Sequence, residues 1–144
     1  MKLTKADAKR LVSSIPYAQT LGIETRLMGD DFYLVLPYKE SNIGNPSLPA
    51  LHGGAVGGFM EVCAMAEIKR RSIEIGDPHV KFAKPVGINI DYLRRGKPIE
   101  TYARATIFKE GSRVANVRVR AWQESVDKPI AALSGHFLLP KKPE

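Results

Sequence analysis

Leu51-His-Gly-Gly-Ala-Val-Gly-Gly-Phe-Met-Glu61 opens a stretch that continues to Arg71, and how it is read decides the fold. From Ala55 to Ala66 it runs AVGGFMEVCAMA, with Glu61 its one ionisable side chain besides the Cys63 thiol. A segment apolar on every face reads as a helix enclosed by the rest of the protein. The spacing predicts that helix from about Gly54 to Arg71, closing in Glu67, Lys69, Arg70 and Arg71, where cations suit the negative end of the dipole. A lone carboxylate inside it loses water, which favours its neutral form, and such groups cluster at working sites. His52-Gly53-Gly54 falls at the helix start, where free backbone N–H groups and the positive dipole end favour developing negative charge. Glu61 follows His52 by nine residues, about two and a half turns. The pattern is an acid/base group combined with an oxyanion donor.

Working outward, residues 4–21 read as a broken helical entry. Thr4 and Asp7 form a cap pair, Leu11, Val12 and Ile15 supply apolar spacing, and Pro16 interrupts or restarts the helix. Strands are expected near Ile23–Met28 and Asp31–Tyr38, joined at Gly29-Asp30, with Phe32, Leu34 and Leu36 alternating with Tyr33 and Val35. Lys39–Leu51, rich in Asn, Gly, Pro and Ser, reads as a loop. Ser72–Pro85, with Gly76, Pro78 and Pro85, reads as a long connection. Four further strands are expected at Val86–Leu93, Thr101–Lys109, Val114–Glu124 and Ile130–Leu139. In the third, Val117, Val119 and Ala121 face one way and Asn116, Arg118 and Arg120 the other, the half-buried antiparallel pattern. Two strands, one long apolar helix and four meandering strands imply an α+β domain whose antiparallel sheet curls around the helix.

At 144 residues the chain suits one domain, spanning 1–144. A single cysteine excludes an internal disulfide and fits a reducing, cytoplasmic compartment. The start, MKLTKADAKRLVSS, lacks the apolar core of a signal peptide, and no run reaches the roughly 18 apolar residues that cross a bilayer, so no membrane is expected. The net charge of +7 is spread over the chain, with short clusters at Lys69–Arg71, Arg94–Lys97 and Lys141-Lys142. Such a surface suits the phosphates of a nucleotide-bearing small molecule, and without a nucleic-acid-binding signature no nucleic acid is expected. His52, His79 and His136 are scattered, without a helical two-His pair or cysteine partners, which argues against a metal. Cys63 falls on a different helix face from Glu61 and reads as core.

Gly44-Asn45-Pro46, then Leu51-His52-Gly53-Gly54, then Glu61, followed by four strands, resembles the hotdog-fold acyl-CoA thioesterases of the phenylacetate-pathway type over nearly the whole chain. The resemblance implies a hotdog fold, a six-stranded antiparallel sheet wrapped around one long central helix. It also implies a homodimer with a continuous sheet, or a dimer-of-dimers homotetramer, with sites at the subunit interface. The implied activity is hydrolysis of an acyl-CoA thioester to free acid and coenzyme A, with coenzyme A belonging to the substrate and no separate cofactor. By position Glu61 would be nucleophile or general base, and the Gly53 N–H would polarise the carbonyl. His52 would hold the loop and carbonyl region, and Asn45 would position water or carbonyl. Gly54, Arg94, Arg95, Lys97, Lys109 and Arg113 are the candidate contacts for substrate and coenzyme A phosphates. Many relatives carry Asp where this chain has Glu61, so both modes of attack stay open. Met65 and Pro85 stand where some relatives place Ser or Thr.

Two rival functions share the fold: a non-catalytic acyl-CoA-binding module, and a hydratase or dehydratase of acyl thioesters, which wants a His paired with an acid. Gly57 and Gly58 share the helix face of Glu61 and invite two explanations, close packing between subunits or space for an acyl group. Phe32, Phe59, Met60, Met65 and Phe82 fit core or pocket alike, so the acyl group is not legible.

Overall fold

The structure is a computed structural model describing residues 2–77 and 81–141; Pro78, His79 and Lys142 lie outside the described residues. Helix α1 (Lys5–Ser13) starts with the expected cap: the Thr4 hydroxyl accepts from the Asp7 N–H and the Asp7 carboxylate accepts from the Thr4 N–H, each at 3.1 Å. Pro16 restarts the chain as the first residue of α2 (Pro16–Leu21), where a missing N–H is harmless. Gly22, at φ 75°, ends α2 in the left-handed conformation and lets the Ile23 N–H reach the Ala18 carbonyl at 2.9 Å. That cap claims Ile23, so β1 (Glu24–Met28) begins one residue later than the sequence suggests. It pairs with β2 (Asp31–Leu36) through a turn at Gly29, φ 63°.

The segment expected as bare loop, 39–51, contains a 3-10 turn (Glu40–Asn42) and two short paired strands, β3 (Ile43–Asn45) and β4 (Ala50–Leu51). Elements of two or three residues are too short to show periodicity. Helix α3 (Gly53–Glu74) runs past the expected end at Arg71. Arg70 bridges Glu67 at 2.5 Å and Glu74 at 2.7 Å, pairings at i,i+3 and i,i+4 that support the last turn.

Strands β5 (Lys84–Tyr92), β6 (Thr101–Glu110), β7 (Val114–Trp122) and β8 (Ala131–Leu138) complete a six-stranded sheet of order β1-β2-β6-β7-β8-β5, antiparallel throughout. Its inner face and α3 share one buried cluster that includes Phe59, Met60, Leu34, Val119, Leu133 and Phe137. A sheet wrapped around a long helix is the hotdog arrangement. In β7 the alternation holds, with Val117, Val119 and Ala121 buried and Arg118 and Arg120 exposed. Val35 departs from expectation: it faces away from α3 yet is fully buried. Strand β5 forms one edge of the sheet and leaves Val86 and Tyr92 exposed, as is Leu93 just beyond it.

Candidate active site

The N-terminal turn of α3 is sewn into place from three directions. The Leu51 N–H donates to the Gly96 carbonyl at 2.9 Å, and the His52 N–H donates to the Asn42 carbonyl at 2.8 Å. Gly44 packs against His52 so closely that an added Cβ would lie 2.8 Å from the His52 Cα. His52 is the N-cap. Its Nδ1 accepts from the Gly54 N–H at 2.9 Å, and its carbonyl accepts from Ala55 and Val56 at 3.0 and 3.2 Å. With Nδ1 an acceptor, the neutral ring carries its proton on Nε2. Three of the four N–H groups in the first turn are thereby used. The Gly53 N–H has no acceptor among the described residues, so the helix start presents one free donor on the positive end of the dipole.

Further along α3, Ala55, Val56, Phe59, Met60, Val62, Cys63, Ala64 and Ala66 are buried, and between Gly54 and Lys69 the helix looks outward along the stripe Gly54, Gly58, Glu61, Met65 and Lys69. Glu61 lies on that stripe. It is half-buried rather than enclosed, and it makes no hydrogen bond or ion pair among the described residues. The enclosed acid of α3 is Glu67, 8% exposed and bound to Arg70 Nε and Nη2 at 2.9 and 2.5 Å. Those hydrogen bonds hold the Arg70 guanidinium above its ordinary pKa. Cys63 is core: burial first, and the Glu67 charge second, push its thiol up, so it is no thiolate nucleophile.

The two interior glycines have a local explanation that the sequence did not suggest. A Cβ at Gly57 would lie 2.9 Å from Ile90 Cδ1 and 3.3 Å from the Tyr92 hydroxyl, and one at Gly58 would lie 2.5 Å from Tyr17 Cε2. Both let neighbours within the same chain approach the helix closely.

The chain belongs to the family of acyl-CoA thioesterase N-terminal domains, whose profile matches residues 45–138. That span covers the α3 start and the strands that follow it. No curated protein matches the chain. Among solved structures, a Chromobacterium violaceum protein is 32% identical over 96% of this chain and 98% of its own, with a TM-score of 0.72. A thioesterase from Haemophilus influenzae aligns over 100% of this chain and 95% of its own at 20% identity, TM-score 0.78. A Bacillus halodurans protein solved with CoA aligns over 96% and 90% at 20% identity, TM-score 0.71. At those two identities the likeness shows the fold.

Against this thioesterase-family frame the remaining candidates divide. Asn45 is exposed at the end of β3, its Oδ1 accepting from the Ser47 N–H at 3.0 Å. The buried asparagine of this loop is Asn42, whose Nδ2 has no partner among the described residues and whose carbonyl holds His52. Arg94, Arg95 and Lys97 lie beside the α3 start, since Gly96 between them binds Leu51. Each also serves the fold: Arg94 donates to the Pro129 carbonyl at 2.8 Å, Arg95 to the Leu48 carbonyl at 2.6 Å, and Lys97 pairs with Glu124 at 2.8 Å. The three line a depression of about 310 Å³. Lys109 and Arg113 lie at the other end of the sheet, near the end of α3 where Arg71 meets Glu110 at 3.6 Å. A 22-residue helix separates the ends by roughly 30 Å, so one chain does not bring the two basic groups together. A cavity of about 680 Å³ between α1 and β1 is lined by no α3 residue. Among the described residues no helix is long and apolar enough to cross a membrane.

Proposed function

We propose that the protein hydrolyses an acyl-CoA thioester, with the α3 start as oxyanion site and Glu61 as base. One observation carries this reading: Gly53, whose N–H alone in the first turn has no acceptor among the described residues, shares a helix with a half-buried carboxylate eight residues on that no described residue engages. The thioester oxygen accepts from the Gly53 N–H, where charge develops as the tetrahedral species forms. Glu61 takes a proton from water, the water oxygen bonds to the carbonyl carbon, the C–S bond breaks, and the departing sulfur regains the proton. Direct attack by the carboxylate would instead give an anhydride that water then opens, and Glu61 serves either route.

The Glu61 stripe is open in one chain, and β5 leaves the edge of the sheet unpaired. We place the complete site between two copies joined along β5, with Lys109 and Arg113 available only to a neighbouring copy's site. Within one chain the depression lined by Arg94, Arg95 and Lys97 is the seat for coenzyme A phosphates, because it adjoins the α3 start. The test is a panel of aliphatic and aryl acyl-CoA substrates, assayed for thiol and acid. Equimolar thiol and free acid are expected. Thermal stabilisation by acyl-CoA without thiol release would assign a binding module, and 3-hydroxyacyl-CoA formed from a 2-enoyl-CoA would assign a hydratase.

A further inference from the structure

We propose that Tyr92 is a positioning residue for the oxyanion donor, acting through the Gly53–Gly54 peptide; the inference rests on the thioesterase reading above. That peptide is gripped at both edges. Its N–H donates to His52 Nδ1 at 2.9 Å, and its carbonyl accepts from the Tyr92 hydroxyl at 2.8 Å. A peptide group is planar, so bonds on opposite edges fix its rotation. The preceding peptide, which carries the Gly53 N–H, is anchored through the His52 carbonyl by Ala55 and Val56. Only the Gly53 Cα joins the two planes.

Two successive glycines are the most permissive dipeptide backbone. An oxyanion donor needs the opposite, because a misplacement near 1 Å can cost on the order of a hundredfold in rate. Tyr92, the last residue of β5, supplies that constraint from outside the helix. Its ring lies over the helix start, where a Cβ on Gly53 would sit 3.3 Å from its Cζ. Its hydroxyl has room because Gly57 has no side chain: a Cβ there would lie 3.3 Å from that oxygen and 2.9 Å from Ile90 Cδ1. Gly57 is buried within a helix, where glycine is costly, and the hydroxyl's approach gives it a purpose. Tyr92 itself is 57% exposed, so its contribution lies in this hydrogen bond more than in core packing.

The test separates kcat from KM for Tyr92→Phe, which keeps the ring and removes the bond. A roughly tenfold loss of kcat is expected, the worth of about one hydrogen bond in the transition state, with KM within about twofold and the melting temperature unchanged. Gly57→Ala, which pushes the hydroxyl away, should give a similar loss. The double variant should be no worse than either single one, because both break the same contact. Amide hydrogen exchange at Gly54 should quicken in Tyr92→Phe. Wild-type kcat with unchanged Gly54 exchange would overturn the proposal, as would a loss confined to KM or one that tracks a lowered melting temperature. If the wild-type protein released thiol from no acyl-CoA, the catalytic reading would fall, while Gly54 exchange would still report whether Tyr92 holds the peptide.

Discussion

Glu61 and Glu67 stand six residues apart on one helix and are treated in opposite ways. Glu67 is buried and bound twice to Arg70, which also reaches Glu74 and lies 5.7 Å from the Phe32 ring. Glu61 is less buried, yet nothing among the described residues engages it. Enclosing a charge is costly unless a partner compensates, and the C-terminal half of α3 supplies one. The N-terminal half supplies glycines, a half-open stripe and a free amide instead. Depth of burial therefore marks the acid committed to Arg70, and the carboxylate left uncommitted on the same helix as a free donor is the one the proposed chemistry uses.

The comparison can be broken by exchanging the two acids' fates. Glu61→Gln should lower kcat by roughly 10²–10⁴-fold, the usual worth of a general base, with the melting temperature kept. Gly53→Pro comes next. Gly53 is the first residue of α3, where proline is well tolerated, and the preceding His52 has φ −66° and ψ 130°, compatible with a following proline. The change deletes the free N–H and adds a Cβ 3.3 Å from the Tyr92 ring, and kcat should fall about 10²–10³-fold, whereas Gly53→Ala, which adds the same Cβ but keeps the N–H, should fall far less. Glu67→Gln should cost about 1–3 kcal/mol in urea unfolding by depriving Arg70 of its carboxylate, while turnover per folded molecule stays near wild type. Loss of turnover without loss of stability in that variant would erase the distinction.

The smallest effect lies far from α3. The Thr4 hydrogen bonds, and then Arg10, hold the Asp7 carboxyl below its ordinary pKa. A lowered folded-state value stabilises the fold above the unfolded pKa, and that contribution disappears as pH falls through the folded value. Thr4→Ala should therefore narrow the stability difference between neutral and acid pH slightly, as read from melting temperatures across that range.

The fold was legible because its strongest signals are long-period ones. The apolar run after Gly54 could only be an enclosed helix, and the alternation around Val117, Val119 and Ala121 could only be a half-buried strand. What escaped was short or depended on contacts distant in sequence. β3 and β4 are too brief for any pattern to emerge, and Ile23 was drawn from β1 into the cap of α2 by Gly22. In the candidate site, the spacing singles out the His-Gly-Gly helix start and Glu61, and the structure puts both on α3. Tyr92 was not legible, because 39 residues separate it from the Gly53 carbonyl it binds. Lys109 and Arg113 looked like companions of Arg94 and Arg95, since turn clusters recur along the chain, but strand direction sends them to opposite ends of the sheet.

The most direct measurement is the infrared carbonyl stretch of a ¹³C-labelled thioester bound to Glu61→Gln, which retains the donor and should turn over slowly enough for the bound thioester to be observed. Polarisation by the Gly53 N–H should move the band below its position in water, and Gly53→Pro in the same background should abolish the shift. A band at or above the aqueous position, unaffected by Gly53→Pro, would contradict the account.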